Sequence, residues 1–106
     1  MKTIEIEIEG KKYTVNELTV GQVESLHMLI GGFREGDIKE FWNYQVGVVS
    51  TALLPTYPEM KPEKIRSMRV GDVQTMKNIV KRIMMFSGLI TEEVQPGDPQ
   101  PGEAQA

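Results

Sequence analysis

The sequence predicts an α+β fold, with an N-terminal β-hairpin packed on a small bundle of three to four helices and a disordered acidic C-terminal tail. Three observations predict it. Residues 3–9, T-I-E-I-E-I-E, alternate strictly between apolar and acidic side chains, which is the period of a strand with one buried face. Further on, apolar residues recur at spacings of three and four, the period of helices with one buried stripe. From Gln95 onward there is no large apolar residue, while proline and glycine are frequent, so this end cannot bury a core. The expected organisation is one domain over residues 1–90 and a flexible Pro/Gly-rich acidic tail over 91–106.

A chain of 106 residues accommodates one small core and not two. It has no cysteine, which excludes a disulfide scaffold and thiolate chemistry. No apolar run approaches the roughly 20 residues of a membrane span. The opening M-K-T-I-E-I-E-I-E has no apolar signal region, so the sequence predicts a cytosolic chain. The net charge of −3 favours solubility and weighs against general nucleic-acid binding. Charge is unevenly placed: residues 61–82 hold seven basic and two acidic residues, and 91–106 hold Glu92, Glu93, Asp98 and Glu103 with nothing basic.

The elements follow in order. Ile4, Ile6 and Ile8 share one strand face and Glu5, Glu7 and Glu9 the other. Gly10-Lys11 supplies a turn, and Tyr13 and Val15 continue the alternation. Two strands alone are marginal, so the isoleucine face must lie on helices or on a partner. Thr19 then caps a helix, Gln22 completes a capping box, and Leu18 can staple onto Val23. Val23, Leu26, Leu29 and Ile30 form its apolar side, and Gly31-Gly32 stops it.

Asp37 and Glu40 mark the next helix start. Phe41, Gln45, Val48 and Ala52, with Trp42, Val49 and Leu53 beside them, make the wide apolar surface of a central helix. Gly47 costs about 1 kcal/mol of helix propensity and permits a neighbouring helix to approach. A strand after residue 45 is the rival reading. Pro55, Pro58 and Pro62 break the chain, with Pro62 in the first turn of a short helix. The last helix is expected from about Val70 to Phe86, with Val73, Met76, Val80, Ile83 and Met84 as its stripe and Ser87-Gly88 as its end.

Two segments echo one another: L-T-V-G-Q-V-E-S-L from Leu18 and M-R-V-G-D-V-Q-T-M from Met68. Both read as helix starts. In the second, Met68 and Val73 keep the staple spacing, Arg69 fills the cap slot without a capping side chain, and Ser67 offers an earlier cap. The glycine of each copy is expected to let the first turn lie close against another element.

Little of this points to chemistry. His27 stands alone and lacks the companion donors of a metal or catalytic site. Glu5, Glu7 and Glu9 suit an exposed strand face, where like charges oppose false pairing. No G-x-G-x-x-G or Walker pattern occurs. No catalytic residue, cofactor or metal ligand is expected. Trp42, Tyr44, Met84, Met85 and Phe86 exceed what one core of modest helices needs, and they predict a protein-association surface. The competing account buries them all, with or without a homodimer. Lys77, Lys81 and Arg82 form a candidate basic surface. A helix-turn-helix around S-M-R-V-G-D-V would bring it near phosphates, but the acidic balance favours a solvated charged face.

The order of elements, and above all K-K-Y-T-V-N-E-L-T-V-G-Q-V from Lys11 to Val23, resembles the small tail assembly chaperones of long-tailed bacteriophages and prophages, particularly the Mu-like group. The likeness extends over roughly residues 2–90. It implies a non-enzymatic protein of the host cytoplasm, absent from the finished virion. Such proteins bind the tape measure protein and keep its long apolar helices soluble while tail tube protein polymerises around it. Many are made in two forms, the longer by ribosomal frameshifting. The resemblance carries over no catalytic residue. The alternatives are a minor structural tail protein or a small regulatory protein-binding or nucleic-acid-binding module; a homo-oligomer and no membrane association are compatible with all of them.

Overall fold

The structure is a computed structural model and describes residues 2–32 and 36–90. Two antiparallel strands, β1 (Thr3–Ile8) and β2 (Lys11–Asn16), precede four helices. These are α1 (Val20–Gly32), α2 (Ile38–Leu53), α3 (Pro62–Ser67) and α4 (Val73–Ser87). The fold is α+β, as the alternation and helical spacings predict. The expected acidic tail, 91–106, lies outside the described residues.

The hairpin register pairs Ile4 with Val15 and Ile6 with Tyr13. Ile6, Ile8, Tyr13 and Val15 are buried, while Glu5, Glu7 and Lys12 face outward. Each buried isoleucine is stabilising by roughly 2 kcal/mol relative to an exposed one. A slip of one residue would put glutamates in their place, so the register is strongly specified. The turn falls on Glu9-Gly10, one residue before the expected Gly10-Lys11. Both residues have positive φ, 58° and 75°, the combination that a two-residue hairpin loop needs to match strand twist. The Glu9 carboxylate also accepts from the Arg69 N–H at 2.9 Å, tying the turn to the segment before α4.

α2 is the central element, touching α1, α3, α4 and β2. Its helix continues to Leu53, so the rival strand after residue 45 does not form. Asp37 caps it by accepting from the Glu40 N–H at 3.1 Å. Val46, Val48, Val49, Ala52 and Leu53 enter the core. At Gly47 a Cβ would stand 3.1 Å from both Leu29 methyl carbons. The glycine therefore does form the notch through which α1 approaches.

The proline-broken segment between α2 and α3 adds to the core and to the hairpin. Met60 is 1% exposed, and the buried Ser50 hydroxyl donates to its carbonyl at 2.9 Å. The Tyr57 ring meets Tyr13 edge-on at 5.1 Å, and its hydroxyl oxygen accepts from the Thr14 N–H at 3.0 Å. Pro62 stands at the first turn of α3, where its missing N–H costs nothing.

α4 departs from the expected start at Val70. It begins at Val73, capped by Asp72, whose carboxylate accepts from the Thr75 N–H at 2.8 Å. Ser67 is not its cap; it ends α3 and donates to the Lys64 carbonyl. With the cap at Asp72, the residue before the cap is Gly71, so the Met68–Val73 staple does not arise. Val73 is 48% exposed and leaves the stripe, because it opens the helix before the core is reached. Met76, Ile79, Val80, Ile83 and Met84 are buried, and Gly88 ends the helix in the left-handed conformation.

Candidate functional site

Of the five expected association residues, one lies in the core and four are partly exposed. Met84 is 1% exposed and belongs to the core; it offers no surface to a partner. Trp42, Tyr44 and Phe86 are half-buried and packed against the core, and Met85 is half-buried as well. Trp42 and Tyr44 stand near the start of α2, whereas Met85 and Phe86 stand at the end of α4. Trp42 makes an edge-on contact with Phe41 at 5.1 Å. The surplus that composition suggested is thus largely taken up by four helices and the Met60 loop. Among the described residues, the exposed large apolar side chains are Val20, Ile38 and Val73, which each open a helix, and Met28, which lies within one.

The basic surface is also divided. Lys77 and Arg82 are exposed and Lys81 is half-buried. At about 100° per residue, Lys77 and Arg82 point about 140° apart around α4. Lys77 borders a hollow against α2, and Arg82 borders one against β1. Of the other cations, Arg66 is hydrogen-bonded to Asn43 at 2.9 Å.

The hollow beside Lys77 has a volume of about 450 Å³ and is lined by Ile38, Phe41, Tyr44 and Gln45 among others. Burial pushes the Tyr44 phenol above its ordinary value, because desolvation disfavours phenolate. Gln45 is 4% exposed, and its carboxamide oxygen has no hydrogen-bond partner. That oxygen is covered by protein, so the hollow gains no acceptor from it. His27 lies exposed on α1. Among the described residues, no three His, Cys, Asp or Glu side chains are placed to hold a metal ion.

The remaining apolar feature was missed in the sequence. α1 packs on α2 and buries only Leu26 completely. Between the two helices, and ending at Pro62, runs an open groove of about 380 Å³. Leu29 and Gly47 line it together with Ser25, Ser50 and Thr51. Met28, 72% exposed, stands on it as well. The signal was present: Met28 falls about 200° from Leu26 around the helix, off the apolar stripe. α1 is anchored at its start by the full capping box. The Thr19 N–H donates to the Gln22 carboxamide oxygen at 2.9 Å, and the Gln22 N–H donates to the Thr19 hydroxyl at 3.1 Å. The Gln22 amide nitrogen also reaches the Thr51 carbonyl at 3.0 Å, which fixes α1 along the groove.

This arrangement defines a small α+β fold in which the exposed Met28 borders a helix–helix groove. No helix among the described residues is long and apolar enough to cross a membrane. Compared with family models, curated proteins and solved structures, the chain matches none.

Proposed function

We propose that this chain is a non-enzymatic assembly chaperone that holds an apolar helix in the α1–α2 groove, and that its client is the tape measure protein of a long-tailed phage. The observation that carries the reading is the groove itself. An apolar helix docks by laying one face into such a groove, and a methionine at its border adapts to clients of differing sequence. The resemblance of Lys11–Val23 to tail assembly chaperones names the client, the host cytoplasm as the place of action and absence from the virion. Half-buried Trp42, Tyr44, Met85 and Phe86 serve mainly to hold the scaffold in this reading.

The test is co-expression with a tape measure protein of the coiled-coil type, followed by copurification. The expected outcome is a larger soluble fraction of the client and a stable complex. Met28→Glu, at an exposed position, leaves the thermal transition unchanged and weakens the complex about tenfold, the effect of losing roughly 1.4 kcal/mol of apolar contact. An insoluble client, or wild-type affinity in the Met28 variant, rejects the reading. Retention on DNA that falls steeply with salt would point to a nucleic-acid-binding module instead.

A further inference from the structure

The two edges of the hairpin are unequal. On β2 the Thr14 N–H points away from β1, since it donates to the Tyr57 hydroxyl. Thr14 lies opposite Glu5. In an antiparallel ladder, opposed residues exchange both backbone bonds or neither. The N–H and C=O of Glu5 therefore also point away from the hairpin, and the period of two gives Thr3 and Glu7 the same direction. The outer edge of β2 meets the segment after α2: the Tyr57 hydroxyl takes the Thr14 N–H, and beside it the Thr56 hydroxyl accepts from the Asn16 side-chain amide at 2.9 Å. β1 has no such cover: no backbone hydrogen bond outside the hairpin involves Thr3, Glu5 or Glu7 among the described residues. A hollow of about 280 Å³ borders β1, walled by Glu5, Ile6, Glu7, Lys12 and, from α4, Arg82.

We propose that the outer edge of β1 is a docking site for an extended segment of a partner protein in which Lys or Arg alternates with apolar residues. The backbone groups of Thr3, Glu5 and Glu7 form the ladder to the added strand. The added strand's outward side chains lie beside Glu5 and Glu7, both exposed, where opposite charges are favourable and like charges are not; Lys12 and Arg82 border the same hollow but stand on β2 and α4, so the directly opposed side chains of the edge strand are the glutamates. Its inward side chains extend the Ile4, Ile6 and Ile8 row. The same rule excludes a second copy of β1, whose glutamates would line up against these. It also specifies a partner with the alternation of β2 itself, where Lys12 and Thr14 face out and Tyr13 and Val15 face in. The glutamates thus select among strands and do not merely repel them.

The experiment is amide hydrogen exchange by NMR on the full chain, with two capped hexapeptide probes at millimolar concentration: acetyl-KVKVKV-amide and acetyl-EVEVEV-amide. The expected result is saturable slowing, about fivefold or more, at the Thr3, Glu5 and Glu7 amides with the basic peptide only. Glu5→Lys with Glu7→Lys changes only exposed side chains, and it should reverse the preference towards the acidic peptide. Glu5→Pro removes one outward donor that the hairpin itself does not use, so it should abolish binding while the dispersed amide spectrum of the fold persists. The proposal is overturned if the basic peptide slows none of the three amides, if both peptides act equally on the wild type, or if the charge-reversed chain keeps the original preference. Met28→Glu leaves peptide binding unchanged, so this site and the α1–α2 groove stand or fall separately.

Discussion

L-T-V-G-Q-V and M-R-V-G-D-V look like one motif written twice, but they fold differently. In the first, Thr19 caps, Val20 opens α1 and Gly21 lies inside the first turn. In the second, the corresponding Arg69 has no capping oxygen. The cap moves three residues on to Asp72, and α4 opens at Val73. Gly71, the partner of Gly21 in the alignment, stays outside the helix with φ of 91°. A Cβ would meet only the Thr19 hydroxyl, at 3.9 Å, on Gly21 and nothing within 4 Å on Gly71. Neither glycine serves the close packing that the sequence suggested. Gly71 is needed for its backbone conformation, and Gly21 is not needed for either reason. These two helix starts follow the capping oxygen, not the apolar pattern around it.

Substitutions at the two glycines give the largest contrast. Gly71→Val forces a β-branched residue into positive φ and should cost about 2 kcal/mol, read as a lower midpoint in urea. Gly21→Val keeps a helical backbone and should cost much less; equal losses would mean that the two segments share a conformation after all.

The caps separate next. Thr19→Ala should cost about 1 kcal/mol at every pH. The Asp72 carboxyl is held below its ordinary value by the hydrogen bonds from Thr75. A depressed pKa contributes stability that is present above the unfolded value and lost as pH falls through the folded one. The difference in melting temperature between wild type and Asp72→Ala should therefore be full at pH 7 and fade below about pH 4. A pH-independent deficit would remove the carboxylate from the account.

Rewriting one segment as the other tests whether the cap alone sets the helix start. Arg69→Thr with Asp72→Gln gives the second copy the polar pattern of the first. α4 should then start near Val70, seen as helical Cα shifts at residues 70–72. If those shifts stay extended, something other than the cap sets the start, and the bond between the Arg69 N–H and Glu9 is the first suspect. The smallest effect is expected from Gly21→Ala, a gain of roughly 0.5–1 kcal/mol from helix propensity at an unobstructed position.

The legible parts of the molecule were those written in local chemistry. The isoleucine–glutamate alternation, the Thr19–Gln22 box, the Asp37 cap and the Gly88 stop each depend on residues a few positions apart, and each appears where the spacing puts it. The Gly47 notch was legible as a helix glycine among apolar residues, though not which side chain would fill it. The groove was not read, because it arises between α1 and α2 and takes its end from Pro62. Counting apolar residues likewise does not tell that Met84, of the set Trp42, Tyr44, Met84, Met85 and Phe86, is the one buried in the core.

Local pattern specifies the hairpin face, the helix order and four helix boundaries, the starts at Thr19, Asp37 and Pro62 and the stop at Gly88, since periods and caps act through near neighbours in the chain. Packing between distant elements brought Met60 into the core, set Lys77 beside α2 and Arg82 beside β1, and carried the Tyr57 hydroxyl to the Thr14 N–H of β2. Each of these depends on elements tens of residues apart meeting in space, and which apolar surfaces meet is settled by the packing of the whole chain.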